Sequence, residues 1–304
     1  SLASIFLVNK GRMHPESDND LVKKLLRPMD ENIIFPVDVM VKLMEIVQDF
    51  YHGTTNRLEA CMLITGLLNP ADVLDKKIIM SIHQLCLSLP LDAIMSDISE
   101  NDYCSRYLTP ALQPLFDDDV KNTQIRWSAT VAANKRSCSL ANRRPDCIIT
   151  TLTDNNFSSS LGHGEVKSHA ESDNHYHTNM DLLRLGHFCK DSIDEHKLLA
   201  SIGIHVVGPL LTFYLMELKA DGLYVMQELN TVRMPLCIDD IPAYLTNLSK
   251  IKNVIHHFFR LCTQAEPSTA IILGKRKRDS PTTAQFDHVI EQTVDRKRQN
   301  HIKH

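Results

Sequence analysis

A chain of 304 residues, 43% hydrophobic and 23% charged, can bury a substantial core and has the make-up of a globular protein, which excludes the disordered and fibrous classes. No apolar run approaches the roughly 20 residues that cross a bilayer; the opening SLASIFLV is too short for a signal h-region and lacks a basic flank, and the missing initiator Met suggests a processed or partial chain. The net charge of -4 conceals an asymmetry: from Gly274 onward eight Lys and Arg stand against four Asp and Glu, an excess of four, so the preceding body carries about -8 and is unsuited to indiscriminate nucleic-acid binding. The eight cysteines form no CxxC pair and read as reduced thiols of a cytosolic or nuclear protein.

In chain order, residues 1–98 read as a mostly helical N-terminal region that packs on the rest of the chain or on a protein partner. Between 38 and 51, Val39, Val41, Leu43, Met44, Ile46, Val47 and Phe50 crowd one broad helical face. A second apolar run covers 75–95 and breaks at Pro90. The capping signature Ser99 to Asp102 then starts a helix that runs to about Phe116, kinked or shortened by Pro110 and Pro114. Glu100 shares the spacing of Tyr103, Cys104, Tyr107, Ala111 and Leu115, which sets it at the edge of a buried face. A carboxylate there needs a partner: a metal is one candidate, and the helix dipole is the plainer one.

The stretch 123–133 reads as a strand bearing the single Trp. Between Val120 and Pro145 there is no acidic residue, while Lys121, Arg126, Lys135, Arg136, Arg143 and Arg144 supply six positive charges. Asp146 opens the apolar strand Cys147, Ile148, Ile149; a polar loop over 153–160 comes next as a hairpin tip, and Glu165, Val166 and Lys167 belong to the returning strand. Alternation puts Glu165 and Lys167 on one face and Val166 on the other. Two carboxylates beside an ammonium make a compact cation site with an acid/base or anchoring group, although Glu165 and Lys167 could equally form an ordinary same-face ion pair.

Residues 179–199 read as a helix with Arg184, Lys190 and Lys197 on its outer surface. A short strand over 202–208 precedes two apolar strands joined at Ala220, Asp221 and Gly222, a strong hairpin signal. Asp239 and Asp240 cap a helix with Pro242 in its first turn and a long apolar stripe from Ile241 to Cys262. Residues 265–304 read as a disordered basic tail. Its clusters Lys275, Arg276, Lys277, Arg278 and Arg296, Lys297, Arg298 fit a nuclear localisation signal, against a merely solubilising tail. The histidines His163, His169, His175, His177, His187, His196 and His205 are a competing metal reading, but none pair at i, i+4 beside a carboxylate in a zinc-like pattern, and His175 and His177 fall in a polar loop.

The succession of helix, strand, two strands around the acidic residues, helix, further strands and helix indicates a mixed α/β domain over 99–264, with a central mixed sheet flanked by helices. Pro145 and Asp146 followed by Glu165, Val166 and Lys167 resemble the PD-(D/E)XK signature of the restriction-endonuclease-like nucleases, and Glu100 matches the acidic residue on that superfamily's preceding helix. Gly162, His163 and Gly164 depart from its more continuous apolar strand. The whole chain also resembles a group of proteins multiplied in mucoralean fungi, which implies nothing about activity.

The nuclease resemblance implies a restriction-endonuclease-like core and a Mg2+- or Mn2+-dependent nuclease acting on DNA, or less readily RNA. Asp146, Glu165, Glu100 and the carbonyl of Val166 would be its metal ligands, Lys167 would position or deprotonate the attacking water, and Arg143, Arg144, Lys135 and Arg136 would contact phosphates. The acidic body favours another possibility, a catalytically silent nuclease-fold scaffold in the nucleus.

Overall fold

Apolar runs closed by tight turns build a seven-stranded mixed sheet. The computed structural model of the chain describes residues 5–8, 24–27, 32–69, 71–127, 144–168 and 175–279. The strands are β1 (Ile5–Val8), β2 (Thr123–Trp127), β3 (Cys147–Thr153), β4 (Asn156–Lys167), β5 (Ser201–Val207), β6 (Leu210–Ala220) and β7 (Leu223–Arg233), in the spatial order β1-β7-β6-β5-β4-β3-β2. The β1/β7 and β4/β5 pairs are parallel and the others antiparallel. Parallel neighbours need a crossover, and the long helix α6 (His175–His196) supplies it between β4 and β5. A mixed sheet flanked by helices is the expected fold class.

Two hairpins differ in how far the expectation reached. Asp221 and Gly222 make the turn between β6 and β7, with Gly222 at φ 68°. Between β3 and β4 the expected polar loop over 153–160 shrinks to a two-residue turn. Asp154 and Asn155 take φ 49° and 59°, the primed-turn geometry that matches strand twist, so Asn156 to Ser160 are already strand. Ser159 is held from two sides: its N–H donates to Thr151 Oγ1 at 3.0 Å, and its Oγ accepts from Gln264 Nε2 at 3.1 Å.

Helices cover both faces. On one, the ring of Phe116, from the helical segment of Glu100–Tyr103 (α4), a π turn over Cys104–Leu108 and Thr109–Phe116 (α5), lies 6.3 Å from that of Phe213 on β6 and 5.0 Å from that of Phe258. The π turn sits just before Pro110, whose ring cannot donate a backbone hydrogen bond and crowds the carbonyl four residues back. The stripe from Ile241 to Cys262 is not one helix but two, α7 (Ile241–Leu245) and α8 (Leu248–Leu261), broken at Thr246 and Asn247. On the other face α6 lies so close that a Cβ on Gly203 would meet Leu185 at 3.2 Å.

The N-terminal third corrects the helical expectation at its start, because β1 is a strand. Its helices, here α1 (Val37–Tyr51), α2 (Arg57–Gly66) and α3 (Val73–Ser88), share one continuous core with the sheet layer. Buried Lys252 on α8 ties them down by pairing with Asp75 Oδ1 at 2.8 Å and Asp72 Oδ2 at 3.0 Å. The segment expected as a disordered tail from 265 begins instead with the helix α9 (Pro267–Arg276). Its end is docked: the Gly222 N–H donates to the Arg276 carbonyl at 2.7 Å, and buried Lys190 donates to the Arg278 carbonyl at 2.5 Å and pairs with Asp194 at 2.8 Å. Arg296 to Arg298 lie outside the described residues.

Candidate active site

The register of β3 and β4 brings the acidic residues together. Cys147 faces Gly164, and the Asp146 N–H donates to the Gly164 carbonyl at 2.9 Å, so Asp146 lies opposite Glu165 at the end of the ladder. Asp146 Oδ2 in turn accepts the Val166 N–H at 2.7 Å. Backbone N–H and C=O of one strand residue point the same way, so the Val166 carbonyl also faces the Asp146 side. The glycines that depart from the nuclease pattern leave the strand unbroken. A Cβ on Gly162 would lie 2.4 Å from Ile202 Cγ2, and one on Gly164 would lie 2.4 Å from Cys147 Sγ, so on that face only glycine fits. The alternate residues His163, Glu165 and Lys167 face α6.

Helix α6 adds a third carboxylate. Asp181 is 1% exposed; its Oδ2 lies 3.3 Å from Lys167 Nζ, and its Oδ1 accepts from Arg184 Nη1 at 2.8 Å. His205 stands beside Glu165 across the β4/β5 ladder, and His163 Nε2 lies 2.7 Å from Ser192 Oγ. Asp181 is not among the expected site residues, and Arg184, expected on the outer surface, is instead paired with it. A signal was there, because Asp181, Leu185, Phe188 and Ser192 share one helical face, and a carboxylate on a buried face requires partners.

Burial governs the protonation states. The Glu165 carboxyl is pushed up to about 9, first by burial and then by the charges of Asp146 and Asp181. Its Oε1 is buried without a hydrogen-bond partner among the described residues. Burial also raises Asp146, against the opposing hydrogen bond from the Val166 N–H. Burial works to lower Lys167, but Asp181, Glu100 and Asp146 hold its ammonium above the usual value. His205 falls to about 4 through burial and the Lys167 charge, and burial takes His163 to about 3. Both imidazoles are therefore neutral at pH 7, and Lys167 is cationic.

The other expected residues are less central. Glu100 is exposed at the first turn of α4 rather than at the edge of a buried face, although its charge reaches Lys167 and Cys104. Arg144 is exposed two residues before Asp146, while Lys135, Arg136 and Arg143 lie outside the described residues. His175 and His177 fall in the first turn of α6, not in a loop. Among the described residues no three His, Cys, Asp or Glu side chains are gathered as a metal-holding group. Asp146 and Glu165 still suit a divalent cation: they are adjacent, poorly solvated and mutually repelling, and Glu165 Oε1 lacks a donor among the described residues. No described helix is long and apolar enough to cross a membrane. Set against family models, curated proteins and solved structures, the chain matches none of them.

Proposed function

We propose that this chain is a Mg2+- or Mn2+-dependent nuclease of the PD-(D/E)XK type that hydrolyses phosphodiester bonds, in DNA before RNA. The reading is supported above all by the meeting of Asp146, Glu165 and Lys167 at one end of β3 and β4, with a buried carboxylate oxygen left without a donor among the described residues. Asp146 and Glu165 would hold the ion, with the Val166 carbonyl and Glu100 as further oxygen donors. Bound there, a divalent ion polarises a phosphate oxygen and lowers the pKa of water. Lys167, steered by Asp181, keeps a cation beside the two acids and orients the attacking water. Arg144, with Arg143, Lys135 and Arg136 in the same acid-free stretch, supplies phosphate contacts. Lys275, Arg276, Lys277 and Arg278 are all exposed and suit a nuclear localisation signal.

The test is cleavage of plasmid DNA and of a structured RNA in Mg2+ or Mn2+ by the wild type and by Asp146→Asn. Metal-dependent cutting that the variant loses by at least about a hundredfold is expected, as for removal of a charged group from a catalytic centre. Equal cutting by both proteins, or none by either, would sink the enzyme. A catalytically silent scaffold on the same fold is favoured by one observation: Asp181 is already occupied by Lys167 and Arg184, leaving two buried acids for the ion. Calorimetry separates the two readings, since a scaffold of this kind shows no heat of Mn2+ binding.

A further inference from the structure

Arg184 is held as few surface arginines are. One side of its guanidinium donates through Nη1 to Asp181 Oδ1 at 2.8 Å, and Asp181, its side chain only 2% exposed, is itself fixed on the other oxygen by Lys167 at 3.3 Å. An ordinary helix-surface pair at this i, i+3 spacing would be solvated on both sides. Here the acid is buried and the arginine side chain remains 30% exposed. The Nε of Arg184 is buried and has no hydrogen-bond partner among the described residues. The guanidinium charge is felt by both Asp146 and Glu165, which places it within electrostatic reach of the acids that would hold a cation.

A planar cation oriented on one edge by a buried carboxylate, with part of its side chain left in solvent beside a cation site, matches the fork geometry that recognises phosphate. Lysine fits less well, because its ammonium lacks the rigid planar fork that keeps one edge on Asp181 while presenting another. We propose that Arg184 grips a backbone phosphate of the nucleic acid next to the cation site, with Asp181 as its positioning residue. This rests on the nucleic-acid reading of the site but not on catalysis.

The experiment is fluorescence anisotropy with a labelled DNA duplex in Ca2+ buffer, at KCl from ~50 to ~200 mM, for wild type, Arg184→Gln and Asp181→Asn. Losing one phosphate contact lowers the slope of log affinity against log salt by about 0.9, so across that range the wild type loses about 3-fold more affinity than Arg184→Gln. Arg184→Gln binds about tenfold more weakly at the lowest salt. Asp181→Asn keeps the cation but frees it, so it binds more weakly with the wild-type slope. Circular dichroism confirms that each variant is folded. An Arg184→Gln protein with wild-type affinity and slope overturns the proposal, as does a wild type that fails to bind at the lowest salt. A wild type that binds through Arg184 but cuts nothing in Mg2+ or Mn2+ upholds the proposal and removes the nuclease.

Discussion

Replacing Glu165 by Gln should make the metal-free protein more stable at neutral pH. The folded chain holds the Glu165 carboxyl protonated up to about 9, whereas in the unfolded chain it ionises at its ordinary value near 4.5. Between these limits the folded state binds the extra proton, so stability falls as pH rises from about 4.5 to about 9. Each pH unit in that window costs about 1.4 kcal/mol, so at pH 7 the wild type has lost about 3 kcal/mol. The amide introduced by Glu165→Gln keeps the shape and has no proton to lose. Urea unfolding of both proteins in EDTA at pH 5, 6, 7 and 8 measures the difference while groups common to both cancel. The advantage of Glu165→Gln should grow from under about 1 kcal/mol at pH 5 to about 3 kcal/mol at pH 7. A pH-independent difference, or a less stable variant at pH 7, would refute the view of Glu165 as a carboxyl forced into burial.

Two further outcomes are expected from the same geometry. Mn2+ binding at pH 7 should expel about one proton, because Glu165 must ionise to become a ligand; calorimetry in Hepes and in Tris should give heats that differ by the buffers' ionisation, and Glu165→Gln should abolish that difference. Gly164→Ala would drive a Cβ to 2.4 Å from Cys147 Sγ and should destabilise by about 1–3 kcal/mol, as overpacking does, with most of the loss recovered in Gly164→Ala/Cys147→Ala on thermal unfolding.

How much was legible in the sequence depended on how local each signal was. The Asp221, Gly222 hairpin and the strands around Asp146 and Glu165 could be read because alternation and turn chemistry act over a few residues. The short helix α2 was missed because it has only a narrow buried face of Ala60, Cys61 and Ile64. Its capping box, Asn56 reciprocally bonded with Glu59, was the available clue. Tyr103, Tyr107, Ala111 and Leu115 are buried as their spacing predicts, yet Glu100 is the first residue of α4, ahead of the packed turns, so its carboxylate emerges in solvent. Asp181 announces its burial by its place on one face of α6, but not its partner: Lys167 is on β4, and only the crossover between β4 and β5 sets the two side by side. The pairing of Arg276 and Arg278 with the β6/β7 hairpin and Lys190 likewise depends on contacts that no local pattern announces.

The pairing of β1 with β7 also constrains how the molecule assembles. Ile5 meets Tyr224, a contact that closes a loop of about 220 residues, so it is among the latest to form. During synthesis β1 exists long before its partner strand, and it carries Phe6 and Leu7, which stay about 40% exposed even in the finished fold. Until β7 arrives, this apolar segment is an unpaired strand open to wrong partners, and any truncation that stops before Tyr224 leaves it so permanently.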